Sequence, residues 1–143
     1  MSVVRKLPAT LIVTGGVAVG LAGPAWADEL NGTYNFNTSN GAGVPWSVTS
    51  CGAGCANVSM TPGAPWAPYG GKATRTGSQW TLTVHRPDGM RCNADQSVSV
   101  PVTTTFTWGD GSLSGAATTT VDAAGCDYDA GTTWSDSFNL TKA

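Results

Sequence analysis

The sequence has very few of the residues that build helices and acid–base sites. Residues 28–143 contain four Leu, two Lys and one Glu, and the whole chain contains a single His. Leu, Lys and Glu are strong helix formers, so no amphipathic helix of useful length is expected. Only 11% of the residues are charged, which leaves little material for general acid–base catalysis.

Positive charge is also scarce. Residues 28–143 contain five Lys and Arg against nine Asp and Glu, which gives a net charge of −4. Proteins that bind nucleic acids or anionic membranes do so through clustered Lys and Arg side chains. The composition therefore excludes nucleic acid as a partner.

The first 27 residues have the pattern of a secretory signal peptide. Arg5 and Lys6 form a positive start, residues 7–21 are uncharged and largely apolar, and Ala25-Trp26-Ala27 places small residues where a signal peptidase reads them. The alternative is an uncleaved membrane anchor, which several glycines and a proline disfavour. We predict cleavage after Ala27, a single β domain over 28–143, and a secreted protein of the extracellular space or cell envelope with no stable membrane insertion.

Four cysteines are expected to be oxidised once the chain is exported. Cys51 and Cys55 flank a three-residue segment with two glycines, and a hairpin of that length brings its flanking residues within reach of a disulfide. We predict the pair Cys51–Cys55 and, by elimination, the pair Cys92–Cys126. A metal or redox centre is disfavoured because there is one His and no Cys-x-x-Cys motif, and no cofactor is expected.

Alternating apolar and polar residues dominate the rest of the sequence. The clearest strand covers residues 98–108, and Pro101 within it indicates an edge or a bulge. Asp110-Gly111 predicts a tight hairpin, and residues 86–89 predict a turn that ends the strand before it. The pattern predicts an all-β fold of about eight short antiparallel strands in an up-and-down, barrel-like meander, with a β-sandwich as the alternative.

Residues 62–71 do not follow any strand alternation. Three prolines stiffen this segment, which carries Trp66 and Tyr69. The two rings either form a surface that stacks on a sugar or an apolar ligand, or fold back and plug the end of the core. The other four tryptophans of residues 28–143 lie in strand patterns and are expected in the core.

Asp136 is the third candidate for ligand binding. It shares a face of its predicted strand with Trp134 and Phe138, so strict alternation points its carboxylate inward. Either the strand has a bulge there, or the interior has a polar spot that orients a ligand.

No catalytic residue emerges from the sequence. His85 falls on the polar face of its strand, and no Gly-x-Ser-x-Gly motif accompanies it. Asp127 and Asp129 lie in a turn-like segment that lacks the remaining ligands of a calcium loop. We therefore expect a protein that is not an enzyme.

Several short motifs, taken in order, resemble a group of small exported actinobacterial proteins, mainly mycobacterial, of unknown function. They include Leu30-Asn-Gly32-Thr-Tyr34, Cys51-Gly-x-Gly-Cys55, Gly77-Ser-Gln-Trp80-Thr-Leu82 and Phe138-Asn-Leu140-Thr-Lys142. The resemblance covers nearly all of residues 28–143. It implies an exported β domain at or beyond the cell envelope and assigns no catalytic residue.

The leading functional hypothesis is a non-enzymatic domain that binds a small apolar or glycan ligand, or a partner protein or other envelope component, through Trp66 and Tyr69. One alternative is a purely structural, antigen-like envelope protein whose aromatic rings all lie in the core. Another is an exported protease inhibitor that inserts a disulfide-braced loop such as 51–55 into a protease.

Overall fold

The computed structural model describes residues 30–143, which form nine β-strands. Side chains alternate between the two faces of each strand, most regularly in β7, where every second residue from Val100 to Trp108 is buried. The strands are β1 (Gly32–Thr38), β2 (Gly41–Ala42), β3 (Trp46–Gly52), β4 (Cys55–Met60), β5 (Tyr69–Thr76), β6 (Gln79–Arg91), β7 (Ser99–Gly109), β8 (Ser114–Val121) and β9 (Thr133–Lys142).

The strands form a closed up-and-down barrel of eight antiparallel strands. Strands β3 to β9 pair with their neighbours in chain order, and β1 closes the barrel by pairing with both β3 and β9. The two-residue β2 pairs with the end of β1, on the side of β1 that β3 also uses. The predicted meander is confirmed in its barrel form, and closure leaves few unpaired backbone groups at sheet edges.

Aromatic rings fill the centre of the barrel. Trp46 and Trp108 are each 1% exposed, and their ring centres are 5.5 Å apart. Phe138 comes from the last strand and lies 4.8 Å from Phe36 of the first strand, measured between ring centres. These rings join the two strands that close the barrel, so packing and closure depend on each other.

The barrel has two different ends. One end, here the hairpin end, carries short connections at 53–54, 77–78 and 110–113. The other end, here the loop end, carries the longer connections 61–68, 92–98 and 122–132. Longer connections are where binding residues most often lie on a rigid scaffold.

The turn predicted at residues 86–89 is wrong, because β6 continues through this segment to Arg91. The pairing of β6 with β7 shifts register between Arg86 and Met90, so residues 87–89 bulge out opposite Pro101. Pro101 has no N–H group to donate to the ladder, and a bulge in the partner strand accommodates it. Of the edge or bulge indicated at Pro101, the structure has the bulge, and β6 continues past it to Arg91 at the loop end.

Both predicted disulfides are present, Cys51–Cys55 at the hairpin end and Cys92–Cys126 at the loop end. Disulfides of this kind are typical of proteins in an oxidising compartment. The predicted signal peptide and its cleavage site after Ala27 lie outside the described residues. No helix within 30–143 is long and apolar enough to span a bilayer.

Candidate functional site

Trp66 and Tyr69 both lie at the loop end, but not as one flexible loop. Trp66 belongs to the connection 61–68, whereas Tyr69 is the first residue of β5 and pairs with Met60. The expectation that Tyr69 lies outside the strands is therefore wrong. Because residues paired across a ladder share a face, Tyr69 lies on the same face as the fully buried Met60 and packs against the core.

Two arginines from β6 cover these rings. The guanidinium carbon of Arg86 is 4.0 Å from the ring centre of Tyr69 and 5.5 Å from that of Trp66, and Arg91 is 5.0 Å from the Trp66 ring. We call Trp66, Tyr69, Arg86 and Arg91 the arginine–aromatic cluster. Both rings are half-buried, so each ring is partly covered by its neighbours and partly accessible to solvent. Contacts of this type stabilise a cation without a carboxylate.

Hydrogen bonds fix the position of Arg91. Its Nη1 donates to the carbonyl of Gln96 at 2.6 Å, and its Nη2 donates to the carbonyl of Pro65 at 3.0 Å. Arg91 therefore joins the connection 92–98 to the connection 61–68, and it holds the backbone beside Trp66 in place.

The environment of Tyr69 changes its acidity. Burial raises the pKa of the Tyr69 hydroxyl, and the nearby positive charge of Arg86 opposes this with a smaller lowering. The phenol stays neutral and keeps its O–H available as a donor across the physiological pH range.

A groove of about 920 Å³ lies beside the cluster. It runs between the connections 92–98 and 122–132, which Cys92–Cys126 holds together. Its lining is mixed, with apolar, polar and charged side chains: Met90, Arg91, Cys92, Asn93, Ala94, Asp95, Val98, Cys126, Asp127 and Tyr128. Arg91 belongs to both the groove and the cluster, so the two form one continuous surface.

The groove holds the large hydrophobic side chains that are exposed in the described part of the chain. These are Val98, which is 47% exposed, and Tyr128, which is 43% exposed. Tyr128 follows a two-residue turn in which Cys126 and Asp127 both have positive φ, and Gly125 and Tyr128 exchange backbone hydrogen bonds of 2.9 and 3.0 Å. The ring of Tyr128 lies 6.2 Å from that of Trp134.

A carboxylate on the groove wall is also fixed in place. Asp95 accepts hydrogen bonds from the hydroxyl and the backbone N–H of Ser97, at 2.6 and 2.9 Å. The hydroxyl first, and then the backbone N–H, lower the pKa of Asp95. The groove thus has a negative side chain at Asp95 and a positive one at Arg91.

Asp136 is not part of this surface, and neither explanation offered for it is correct. The pairing of β8 with β9 has no register shift, so there is no bulge, and Asp136 lies opposite Ala117. Its side chain is exposed because β1 ends at Thr38, which pairs with Phe138, and leaves the first half of β9 without a neighbour on that side. Trp134, expected in the core, is half-buried for the same reason.

His85 does not form a catalytic triad with its neighbours. Its Nδ1 lies 2.9 Å from Asp122 Oδ2 and 3.3 Å from Thr103 Oγ1, and Thr103 itself donates to Asp122 at 2.9 Å. In a triad, opposite nitrogens of the imidazole contact the acid and the nucleophile, whereas here one nitrogen contacts both. Among residues 30–143, no three His, Cys, Asp or Glu side chains are grouped as metal ligands.

Sequence reasoning named Trp66 and Tyr69 as candidates but did not name Arg86, Arg91, Val98 and Tyr128, which lie at the same end of the barrel. One available signal was the presence of two of the five Lys and Arg of residues 28–143 within six positions of each other. Another was an aromatic residue, Tyr128, between two acidic ones in a turn. Neither signal shows which residues these side chains contact, because the contacting residues lie on segments that are distant in sequence.

No protein-family model, curated protein or solved structure matches the chain. The resemblance to exported actinobacterial proteins therefore stays a prediction. The side chains and the groove at the loop end are therefore the features that bear on function.

Proposed function

We propose that this protein is an exported, non-enzymatic binding domain whose loop end recognises a small glycan or apolar ligand, or the surface of a partner protein. Trp66 and Tyr69 contribute to recognition together with the adjacent groove. The N-terminal segment directs export, and the two disulfides hold the domain together outside the cell.

One observation carries the proposal: the exposed large hydrophobic side chains within 30–143, Val98 and Tyr128, lie in the same groove. Scattered exposed apolar residues are ordinary, but their grouping in a concave surface is typical of a binding site. The interior of the barrel is filled by aromatic rings, which favours binding at the end of the barrel over binding inside it.

The proposal is tested by tryptophan fluorescence during a screen of soluble glycans and cell-envelope lipids. Trp66 and Trp134 are half-buried, whereas Trp46, Trp80 and Trp108 are 1–3% exposed. We expect acrylamide to quench two indoles in the free protein, and a bound ligand to protect Trp66 from quenching. Trp66→Ala and Tyr128→Ala should each weaken binding at least about tenfold, as for a central aromatic contact.

Trp134→Phe removes the other half-buried indole, so that acrylamide quenching of this variant reports Trp66 alone. Binding that survives both Trp66→Ala and Tyr128→Ala, in variants with unchanged circular dichroism, would place recognition elsewhere. A screen in which no probe protects Trp66 would favour the purely structural alternative.

A further inference from the structure

Arg86 has an unusual environment for a charged side chain. It pairs with the buried Val102 near the loop end and therefore lies on the inner face of β6. Its guanidinium group lies close to the faces of two rings, Tyr69 at 4.0 Å and Trp66 at 5.5 Å from the ring centres. Aromatic faces stabilise a guanidinium by stacking and restrict its orientation without occupying its N–H groups.

The hydrogen-bond donors of Arg86 are unused. Within residues 30–143 none of its N–H groups donates a hydrogen bond, its Nε is buried without a partner, and it forms no ion pair. A guanidinium has five N–H donors in one plane, and two parallel ones match the oxygens of a carboxylate. The buried Nε of Arg86 faces the protein interior, so its two Nη groups are the donors that an oxyanion can reach, and they can supply two parallel hydrogen bonds.

The same chain shows what an arginine beside an indole does when a carboxylate is within reach. At the hairpin end, Arg75 lies 5.8 Å from the centre of the Trp80 ring. Arg75 Nη1 donates to Asp110 Oδ2 at 2.7 Å, and Trp80 Nε1 donates to Asp110 Oδ1 at 3.2 Å. The two donors hold one carboxylate by both oxygens. Arg86 and Trp66 repeat the arginine–indole pair without the acid.

Arg91 adds a second positive charge at the same indole. Its guanidinium lies 5.0 Å from the Trp66 ring centre and donates to two backbone carbonyls, which are neutral. Two like charges that approach one ring repel each other, and an anion placed near both reduces that repulsion. Charge complementarity at this cluster therefore favours a negatively charged ligand.

We propose that the arginine–aromatic cluster is a receptor for the carboxylate of a small acidic sugar, with Arg86 holding the acid group by two parallel hydrogen bonds and Trp66 contacting the ring. This inference rests on the proposed function, because it names the chemical class of the ligand bound at the same end. An acidic sugar carries a carboxylate next to an apolar ring face. The cluster carries a guanidinium, which binds carboxylates, next to an indole, which contacts apolar ring faces.

The test compares four probes on the intact protein: glucuronate, its neutral counterpart glucose, acetate and inorganic phosphate. Binding is followed by NMR through the Nε–Hε resonance of Arg86, which is assigned by its disappearance in Arg86→Gln. We expect glucuronate to move this resonance in a saturable way and to bind at least about tenfold more tightly than glucose. Arg86→Lys, which keeps the charge but loses the two-pronged geometry, should weaken glucuronate binding about tenfold.

Lys72→Gln is the matched control, since it removes one positive charge from an exposed position of β5, and it should change the affinity less than about twofold. If Arg86→Gln does not fold, the resonance is assigned by its disappearance in Arg86→Lys, which also lacks this N–H group, and the wild-type titration still gives the answer. Glucose binding as tightly as glucuronate, with loss in Trp66→Ala, would overturn the carboxylate inference and leave the proposed function standing. Phosphate binding more tightly than both carboxylates would also overturn it. A glucuronate-induced shift of Arg86 that is unaffected by Trp66→Ala would keep the carboxylate site and contradict recognition through the aromatic loop.

Discussion

At the scale of single residues, Tyr69 is the group whose ionisation most directly reports the packing of the loop end. Burial raises its pKa above the ordinary value of 10.0 in the folded protein, although Arg86 partly opposes the shift. In the unfolded chain the tyrosine loses its proton near the ordinary value. Above that pH the folded state binds a proton that the unfolded state has released, so the free energy of unfolding falls as pH rises.

The expected result is an alkaline loss of stability that depends on this one hydroxyl. Urea denaturation at about pH 8 and about pH 11 should show a smaller decrease in the free energy of unfolding for Tyr69→Phe than for the wild type. Tyr128→Phe, which changes an exposed tyrosine, serves as the control and should follow the wild type. Equal decreases in all three proteins would mean that the Tyr69 hydroxyl is not buried in solution.

Individual residues were predictable from sequence only where the local pattern is informative. The three prolines and absent alternation around Trp66 correctly separated it from the strands. The position of Asp136 was not predictable, because its exposure depends on where β1 ends, about a hundred positions away along the chain. Local periodicity gives the face of a residue but not the length of the neighbouring strand.

At the scale of elements, the two disulfides constrain very different lengths of chain. Cys51 and Cys55 are 4 positions apart, whereas Cys92 and Cys126 are 34 positions apart. The entropy that a crosslink removes from the unfolded state grows with the loop it closes, which gives about 2 kcal/mol for the short loop and about 4 kcal/mol for the long one.

We therefore expect Cys92→Ala/Cys126→Ala to lower the free energy of unfolding by about twice as much as Cys51→Ala/Cys55→Ala. Denaturant titration of both double variants measures the difference. The longer crosslink also joins the two walls of the groove, so its removal should lower the affinity for any ligand that binds there. A larger stability loss from the short pair would contradict the entropic account.

The strand order was accessible from sequence because strands that follow one another in the chain are also neighbours in the barrel. The pair Cys51–Cys55 follows from the short hairpin that it closes, and the pair Cys92–Cys126 follows by elimination. The sequence predicts a turn instead of the bulge at 87–89 for an equally physical reason. Arg86-Pro87-Asp88-Gly89 has the composition of a turn, and only pairing with β7 on both sides of it keeps β6 continuous. The arginine–aromatic cluster depends on that bulge and was therefore not foreseen.

At the scale of the whole molecule, stability depends on an aromatic interior shared by the first and last strands. Phe138 is 4% exposed, and its ring lies 4.8 Å from Phe36, 5.9 Å from Trp46 and 6.0 Å from Phe106, between ring centres. Phe138→Ala leaves a cavity where the barrel closes, and should cost about 3–5 kcal/mol in the free energy of unfolding.

Thermal or urea denaturation followed by near-ultraviolet circular dichroism measures this loss. Phe138→Leu, which fills most of the volume, should cost less than Phe138→Ala. Tyr128→Ala, an exposed aromatic at the loop end, should change stability by less than about 1 kcal/mol. A loss from Phe138→Ala no greater than that from Tyr128→Ala would mean that closure between β1 and β9 is not needed for stability.

Closure through β1 and β9 also brings the two ends of the described chain together, far from the proposed binding surface. The backbone N–H of Ala143 donates to the carbonyl of Thr33 at 2.9 Å, and both lie at the hairpin end. A short linker from 143 to 30, with new termini opened between Gly77 and Ser78, should therefore yield a circular permutant with the same barrel. For the same reason, a dye or a solid support attached at Ala143 leaves the opposite end of the molecule accessible in a binding assay.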